Sequence, residues 1–206
     1  TALYCGLYGY SSRPQSSDMT VDEIINTKKK AKHYDVRLYV AVNASILNEN
    51  TDSILRDIKI LDENGVDAFI VSDIGLIHLL STQKLNADIH ISTLAGVHNI
   101  ETVRYYKELG CKRIILSSDL FIDEIAEITE KETEMEFEIV ADGGICYNNN
   151  HQCNLPHFNE KNEFCVLCQS EFEVLENGQK TKKAYPISPA GRPRSSSTRS
   201  TTATVC

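Results

Sequence analysis

Four of the seven cysteines in this 206-residue chain fall in one short segment, at Cys146, Cys153, Cys165 and Cys168. The segment is rich in Gly, Asn and His and lacks the apolar periodicity of a buried helix or strand. A loop that brings four thiolates to one point forms a soft tetrahedral site, suited to Zn²⁺ or to an iron–sulfur cluster. Disulfides or unrelated free thiols would show the same spacing. The grouping favours a metal or a cluster.

The composition is that of an ordinary soluble domain with an appendage, with 41% hydrophobic and 24% charged residues. No window approaches the roughly 20 apolar residues of a membrane span, and no charged leader precedes an apolar run at the start. The sequence therefore predicts no membrane span, no signal peptide and a cytoplasmic location. Cytoplasmic thiols stay reduced, which favours the metal interpretation over disulfides.

The charge is unevenly distributed along the chain. The formal net charge is −8, but the part from Gln179 onward holds six basic residues and no acidic ones, so the rest carries −14. A body this acidic has no broad electrostatic footprint for a phosphate backbone. A local basic groove remains compatible with these numbers.

Residues ahead of the cysteines alternate between β-branched or aromatic runs and amphipathic stretches. This alternation predicts a parallel sheet covered by helices. Thr20 with Glu23 forms a capping box, Asn99 is a further N-cap, and Gly65 and Gly110 are helix stops. The predicted strands are 3–7, 37–43, 68–73, 89–92, 113–118 and 137–141, and the predicted helices are 20–34, 51–64, 74–83, 100–109 and 121–131.

Polar residues recur where successive predicted strands end, and this recurrence favours a barrel over an open doubly wound sheet. Six strands suit an open doubly wound sheet or part of a (β/α)₈ barrel, and the chain contains neither GxGxxG nor GxxxxGK[ST]. In a barrel the carboxyl rim holds the chemistry, although each residue could equally be a helix cap or turn former. His98 either reaches this rim or caps a helix, and His90 is expected in the interior. The rim residues are Asn43, Asp73, Ser92 with Thr93, Ser117 with Ser118, and Asp142.

The run from Glu138 to Cys146, followed after six intervening residues by Cys153, resembles the signature of the U32 (collagenase-like) peptidase family. The matching positions are Glu138, Gly143, Ile145, Cys146 and Cys153, and the departures are Val140, Gly144, His151 and Pro156. The likeness covers roughly residues 3–168 and includes upstream blocks. These are Tyr4 to Leu7 with Arg13, Val42-Asn43, Ile70 to Asp73, and Ile91-Ser92 through Asn99.

The resemblance implies an α/β fold, a TIM-type (β/α) barrel that lacks the first strand and helix expected ahead of Leu3. The implied organisation is a partial barrel over 1–142, a Cys-rich cluster-binding segment over 143–170, and a polar tail over 171–206 that composition predicts to be disordered. Substrate-binding residues are expected at the rim and are Arg13, Asn43, Asp73, Ser92, Asn99 and Glu138.

Two activities are implied by the resemblance. Some members are peptidases, and others resemble oxygen-independent hydroxylases of ubiquinone biosynthesis and RNA modification, with a 4Fe–4S cluster on four cysteines. Here the implied ligands are Cys146, Cys153 and Cys168, with Cys165 as a candidate fourth. We expect a hydroxylase or its subunit acting on a small molecule or nucleobase, because the sequence holds no GxSxG or HExxH motif.

Two alternatives stay open at this stage. One is a collagenase-like peptidase with a peptide substrate, and the other is a non-catalytic domain in which zinc or a cluster only ties the loop to the barrel. Homo- or hetero-oligomeric assembly is also left open.

Overall fold

A computed structural model describes residues 1–12 and 18–141, together with the backbone of 171–176 and 179–186. The described elements follow the predicted alternation of strands and helices, and their bounds agree with the sequence prediction to within a few residues. The first six strands are β1 Ala2–Gly6, β2 Arg37–Val42, β3 Ala68–Val71, β4 Asp88–Ile91, β5 Arg113–Ile115 and β6 Glu136–Glu138. The helices are α1 Val21–His33, α2 Thr51–Glu63, α3 Ile74–Ser81, α4 Ile100–Glu108 and α5 Ile122–Lys131.

The six strands form one parallel sheet in sequential order from β1 to β6. A doubly wound sheet reverses its strand order at a switch point, and this sheet does not. Sequential parallel strands joined by right-handed helical crossovers curl into a barrel. The described strands are therefore six of the eight that a complete TIM barrel holds, and the predicted incomplete (β/α) barrel is confirmed.

The two faces of the sheet bury different residues because side chains alternate along each strand. On β2, Leu38, Val40 and Val42 face the helices and are fully or almost fully buried in the main core. Tyr39 and Ala41 face the concave interior, with a smaller apolar cluster. Burying each large aliphatic side chain contributes roughly 1.5–3 kcal/mol, so the helix-facing side supplies most of the stability of the half-barrel.

The structure contains the helix caps and the helix-ending glycines that the sequence predicts. The Thr20 side chain accepts from the Glu23 amide at 3.4 Å, and the Glu23 carboxylate accepts from the Thr20 amide at 2.9 Å. Gly65 and Gly110 follow α2 and α4 with φ of +83° and +79°, a backbone region that favours glycine. Among the described residues, none of the helices combines the length and the apolar character needed to cross a bilayer.

Asp62 joins the end of α2 to the start of β4. Its buried carboxylate accepts from the backbone amides of Asn86 at 2.9 Å and Ala87 at 2.7 Å. We expect Asp62→Ala to lower the free energy of unfolding by about 2 kcal/mol, because two amides lose their acceptor in a buried position. Urea unfolding measures this, with the exposed neighbour Glu63→Ala as the control, expected within about 0.5 kcal/mol of the parent. Equal losses in the two variants would contradict the assigned role.

Two further strands occupy part of the predicted disordered tail. Strand β7 (Glu171–Glu176) pairs antiparallel with β8 (Gln179–Pro186), and Glu176 lies opposite Gln179. The structure thus describes the backbone of two short strands within the predicted tail, and the disorder of 171–206 stays a prediction. Residues 142–170 and 187–206 lie outside the described part, so the domain boundaries at 142 and 170 stay predictions.

Candidate functional site

Asn43 links three loops at the carboxyl edge of the sheet. Its Oδ1 accepts from the Ser12 amide at 3.0 Å, and its Nδ2 donates to Ser92 Oγ at 3.4 Å. The Ser72 hydroxyl donates to the Asn43 carbonyl at 2.8 Å. Ser92 and Ser72 are buried, whereas Asn43 is only half-buried. The loops after β1 to β4 thus meet around a polar floor of one amide and two hydroxyls.

Asp73 has a structural role at this edge. One carboxylate oxygen accepts from the Leu76 amide at 2.9 Å and caps α3, while the other accepts from the Ile46 amide at 3.1 Å. One oxygen therefore binds an amide in the first turn of α3, and the other binds an amide of the loop after β2. The helix-cap interpretation holds for Asp73, and the same contacts fix the loop that follows Asn43.

The end of β1 approaches its loop closely at Gly6. A side-chain carbon placed there would lie 2.9 Å from Cβ of Ser11 and would overlap the carboxyl group of Asp18. Only glycine fits without displacing these groups. This contact holds the first loop against the polar floor.

A second polar cluster lies at the ends of β4 and β5. The buried Ser117 hydroxyl donates to Asp119, whose carboxylate lies 3.0 and 3.1 Å from Nε2 of His98. Nδ1 of His98 donates to the Gly96 carbonyl at 2.7 Å. Because both ring nitrogens face acceptors, the doubly protonated imidazolium fits this site best.

The electrostatics of the cluster agree with its geometry. Burial acts to lower the pKa of His98, but the hydrogen bonds to Asp119 and the Gly96 carbonyl outweigh it and raise the pKa above its ordinary value. The hydrogen bond from Ser117 lowers the pKa of Asp119, and His98 adds to that effect. The pair therefore favours the charged forms of both partners.

We expect a pH-dependent stability from His98. A histidine with a raised folded pKa contributes stability that is fully present below about pH 6.5 and is lost as the pH rises through the folded pKa. The His98→Gln variant should therefore lose less stability than the parent when urea unfolding is compared at about pH 6 and pH 9.

The exposed His78 in α3 provides the matched control for this titration. His78→Gln should keep the pH profile of the parent, because it leaves the Asp119 contact intact. If His98→Gln showed the same change of unfolding free energy between about pH 6 and pH 9 as the parent, His98 would not contribute to the pH dependence of stability.

Charged side chains line the concave face below this edge. Arg113 of β5, 6% exposed, donates to Glu136 at 2.6 and 3.0 Å and to Glu138 at 3.3 Å. The pairing follows the register, since Glu136 lies opposite Arg113 and Glu138 lies one inward position further along β6. The guanidinium also lies 5.6 Å from the centre of the Tyr39 ring, within cation–π range.

His90 lies on the same face and is held neutral. Burial, aided by the positive charge of Arg113, lowers the pKa of His90 to about 4. Its ring packs edge-on against Tyr39 with centroids 4.8 Å apart. Within the described residues, His90 Nδ1 and the Tyr39 hydroxyl have no hydrogen-bond partner. His90 is therefore an interior residue, as its position in an apolar strand predicts.

The comparison with known proteins decides the family. The sequence model of peptidase family U32 matches residues 1–193. This chain belongs to peptidase family U32.

The curated proteins that are similar to this U32 chain include RNA-modifying proteins. It is 33% identical over 180 residues to the tRNA hydroxylation protein P of Haemophilus influenzae, covering 85% of this chain and 39% of that protein. It is 26% identical over 156 residues to the 23S rRNA 5-hydroxycytidine C2501 synthase of Escherichia coli, covering 76% of this chain and 23% of that one. The U32 chain thus spans well under half the length of these relatives.

A solved structure supports the fold of the U32 chain. The U32 peptidase Mk0906 superposes with a TM-score of 0.61 at 14% identity, covering 78% of this chain and 74% of that one. At this identity the match bears on the fold alone, and it agrees with the incomplete barrel described above.

The predicted site residues of the U32 chain separate into three groups. Asn43, Ser92 and Asp73 meet at the carboxyl edge, with the first two in direct contact. Asn99 is exposed and caps α4 by accepting from the Thr102 amide at 3.0 Å. Glu138 contacts Arg113 on the concave face. The remaining predicted site residues lie outside the described part and are Arg13, Cys146, Cys153, Cys165 and Cys168.

The cysteines that the structure does describe are unsuited to binding a metal. Cys5 and Cys111 are buried in the core, where burial raises the pKa of Cys5 to about 11, with Asp18 adding to it, and that of Cys111 to about 12. Metal ligation needs the thiolate, which such values disfavour. Within the described residues, no three or more His, Cys, Asp or Glu side chains are grouped to bind a metal.

Sequence reasoning missed Asp119 and Arg113. Asp119 follows the predicted fifth strand by one residue, so a polar residue just beyond a strand end was the available signal. Arg113 opens that strand in an otherwise apolar run, which marks a charge that needs a partner when buried.

Proposed function

We propose that this chain is the barrel part of an RNA hydroxylase, which adds a hydroxyl group to a base of tRNA or rRNA at the carboxyl edge of the sheet. The observation that carries the proposal is the 33% identity to a tRNA hydroxylation protein over 85% of this chain. Several further relatives are named for the same activity, among them the tRNA hydroxylation protein P of Escherichia coli, which is 32% identical to this chain.

The polar floor around Asn43 suits recognition of an unstacked base. RNA bases are recognised by hydrogen bonds to their edges, and amide and hydroxyl groups can both donate and accept. The contact between Asn43 Nδ2 and Ser92 Oγ is long at 3.4 Å, so exchanging it for a contact to a base costs little. In a parallel barrel this edge is where substrates bind.

The cysteine segment supports redox chemistry near this edge. Ala141 lies three residues beyond the end of β6, and the five further residues to Cys146 span at most about 17 Å. We propose that Cys146, Cys153, Cys165 and Cys168 bind a 4Fe–4S cluster, since four thiolates are its usual donor set. Replacing C–H by C–OH withdraws two electrons from the base carbon, so it needs either an oxygen donor that is itself reduced by two electrons or a two-electron oxidant with water as the oxygen source. A bound iron–sulfur cluster would provide a path for these electrons, which redox-inactive zinc would not.

One cluster of the described residues resembles a serine-peptidase triad in composition but not in its contacts. A relative from Methanocaldococcus jannaschii, 28% identical over 161 residues, is named an uncharacterized protease. In the described part of this chain Ser117, His98 and Asp119 lie together, but Ser117 donates to Asp119 and not to His98. Asp119, whose pKa these contacts lower, is too weak a base to activate the serine, so this cluster lacks the serine–histidine contact of a serine peptidase.

Nucleoside analysis of cellular RNA tests the proposed function. The full-length gene is deleted, and digested tRNA and rRNA are compared by mass spectrometry with and without a plasmid copy. The cell supplies the oxygen donor, so the donor need not be known. We expect one nucleoside carrying an added oxygen to disappear on deletion and to return with the plasmid.

Two outcomes would contradict the proposal. One is unchanged nucleoside composition in both RNA classes. The other is cleavage of gelatin or peptides by the purified protein that persists after all metal is removed, which would favour the peptidase.

A further inference from the structure

A group of basic side chains lies at the amino end of the sheet, opposite the candidate site. We define the basic patch as Lys29, Lys30, Lys32 and Arg37, which come from the last turns of α1 and the start of β2 and are all exposed. Lys29, Lys32 and Arg37 line a cavity of about 470 Å³ that Asn64 and others close from the α2 side. The patch therefore borders a groove large enough for a phosphate group.

Internal ion pairing does not account for the basic patch. The neighbouring Lys28 is buried and bonds to Asp67, so its charge is neutralised inside the domain. None of the four patch residues forms a salt bridge with another described residue. Their charges are thus available to a partner.

The negative charges near the basic patch offset only part of its positive charge. Asp35 is exposed at the cavity, and the α1 and α2 C-termini each contribute about half a negative charge. These offset about two of the four patch charges, so about two positive charges remain. That surplus contrasts with the residues before Gln179 as a whole, which carry −14 and so repel polyanions on average.

Aromatic rings accompany the charges. Tyr34 is 75% exposed and packs edge-on against His33 at a centroid distance of 5.0 Å. Arg37 lies 5.6 Å from the centre of the Tyr39 ring, which orients its guanidinium. Tyr39 itself is buried, so Tyr34 is the tyrosine on which a base could stack. An exposed ring beside basic side chains is typical of nucleic-acid surfaces, where phosphates meet the charges and a base stacks on the ring.

We propose that the basic patch binds the phosphate backbone of the RNA whose base is held at the carboxyl edge. This inference rests on the proposed function. The strands are four to six residues long over most of the sheet, so its two ends lie about 13–20 Å apart. One RNA stem is long enough to reach both ends, and the patch would orient it without reading its sequence.

Salt-dependent RNA binding tests the basic patch. The probe is a labelled unmodified tRNA, and the full-length protein is compared with its Lys29→Ala/Lys32→Ala variant by fluorescence anisotropy at 50 and 200 mM salt. Each lost phosphate contact lowers the slope of log K against log salt by about 0.7–0.9, so the double variant should lose about 1.5. Over that range the parent should therefore lose about tenfold more affinity than the variant.

A matched control removes the same charge elsewhere. Lys84→Ala/Lys131→Ala takes two exposed lysines from other surfaces and should keep the slope of the parent. Alanine is the best helix former, so the substitutions in α1 should not unfold it, and thermal melting checks this.

The outcomes separate this inference from the proposed function. Patch-dependent RNA binding without any hydroxylated nucleoside would sustain the patch and refute the function. If a hydroxylated nucleoside is found but the patch and control variants show equal salt slopes for RNA binding, the role of the basic patch is refuted and the proposed function stands. Patch-dependent binding to phosphatidylserine vesicles, with no RNA binding, would assign the surface to a membrane and overturn the inference as well.

Discussion

We expect the Cys146→Ser variant of the full-length protein to lose its bound iron and to hydroxylate RNA about 100-fold less, or below detection. Loss of groups that merely support a metal ligand costs up to about 100-fold, and a direct ligand should cost at least as much. Serine is close in size but is a hard oxygen donor, poorly matched to iron in a thiolate cluster. Iron and sulfide analysis after anaerobic purification, with nucleoside mass spectrometry, measures both losses.

Cys111→Ala is the matched control because it removes a thiol that is buried and protonated. It should lower stability modestly and leave the iron content unchanged. A Cys146→Ser protein that keeps its full iron content would refute the proposed ligand set, and stoichiometric zinc without iron in the parent would favour the structural alternative.

The second large effect concerns Arg113. We expect Arg113→Met to lower the free energy of unfolding by about 3 kcal/mol, because it leaves Glu138 on the concave face without its cation. The guanidinium is almost inaccessible, whereas Glu136 retains access to solvent and suffers less. Urea unfolding measures the change, provided that the dependence of the unfolding free energy on urea concentration is the same in parent and variant.

An exposed arginine provides the comparison. Arg104 pairs with Glu101 on the surface of α4 at 2.7 Å, and Arg104→Met should cost about 0.5 kcal/mol or less. Adding Glu138→Gln to Arg113→Met should recover part of the loss, because the unpaired charge is then removed. A cost below about 1 kcal/mol for Arg113→Met would mean that water or another group replaces the guanidinium.

Much of the fold follows from local signals in the sequence. Thr20, Asn99, Gly65 and Gly110 mark helix ends through short-range backbone chemistry, and the structure confirms each of them. The choice of a barrel over a doubly wound sheet depended on polar residues at strand ends and on the family resemblance. The sequential strand order confirms that choice.

The parts that sequence reasoning missed depend on contacts between distant segments. The partnership of Arg113 with Glu136 and Glu138 requires the register of β5 against β6, which no local pattern contains. Asn43 and Ser92 were both predicted at the rim, but their direct contact depends on three strands ending at one edge. Asp73 and Asn99 fit cap and rim patterns equally well, and only their amide contacts distinguish the two.

We propose that the carboxyl edge of the half-barrel holds the RNA base. Photo-cross-linking of the full-length protein to tRNA containing 4-thiouridine, followed by peptide mapping, examines this edge. We expect cross-links in the loops that carry Asn43, Ser92 and His98, and their loss when unmodified tRNA competes. Cross-links confined to the exposed surfaces of α2 and α3, with none in these loops, would contradict it.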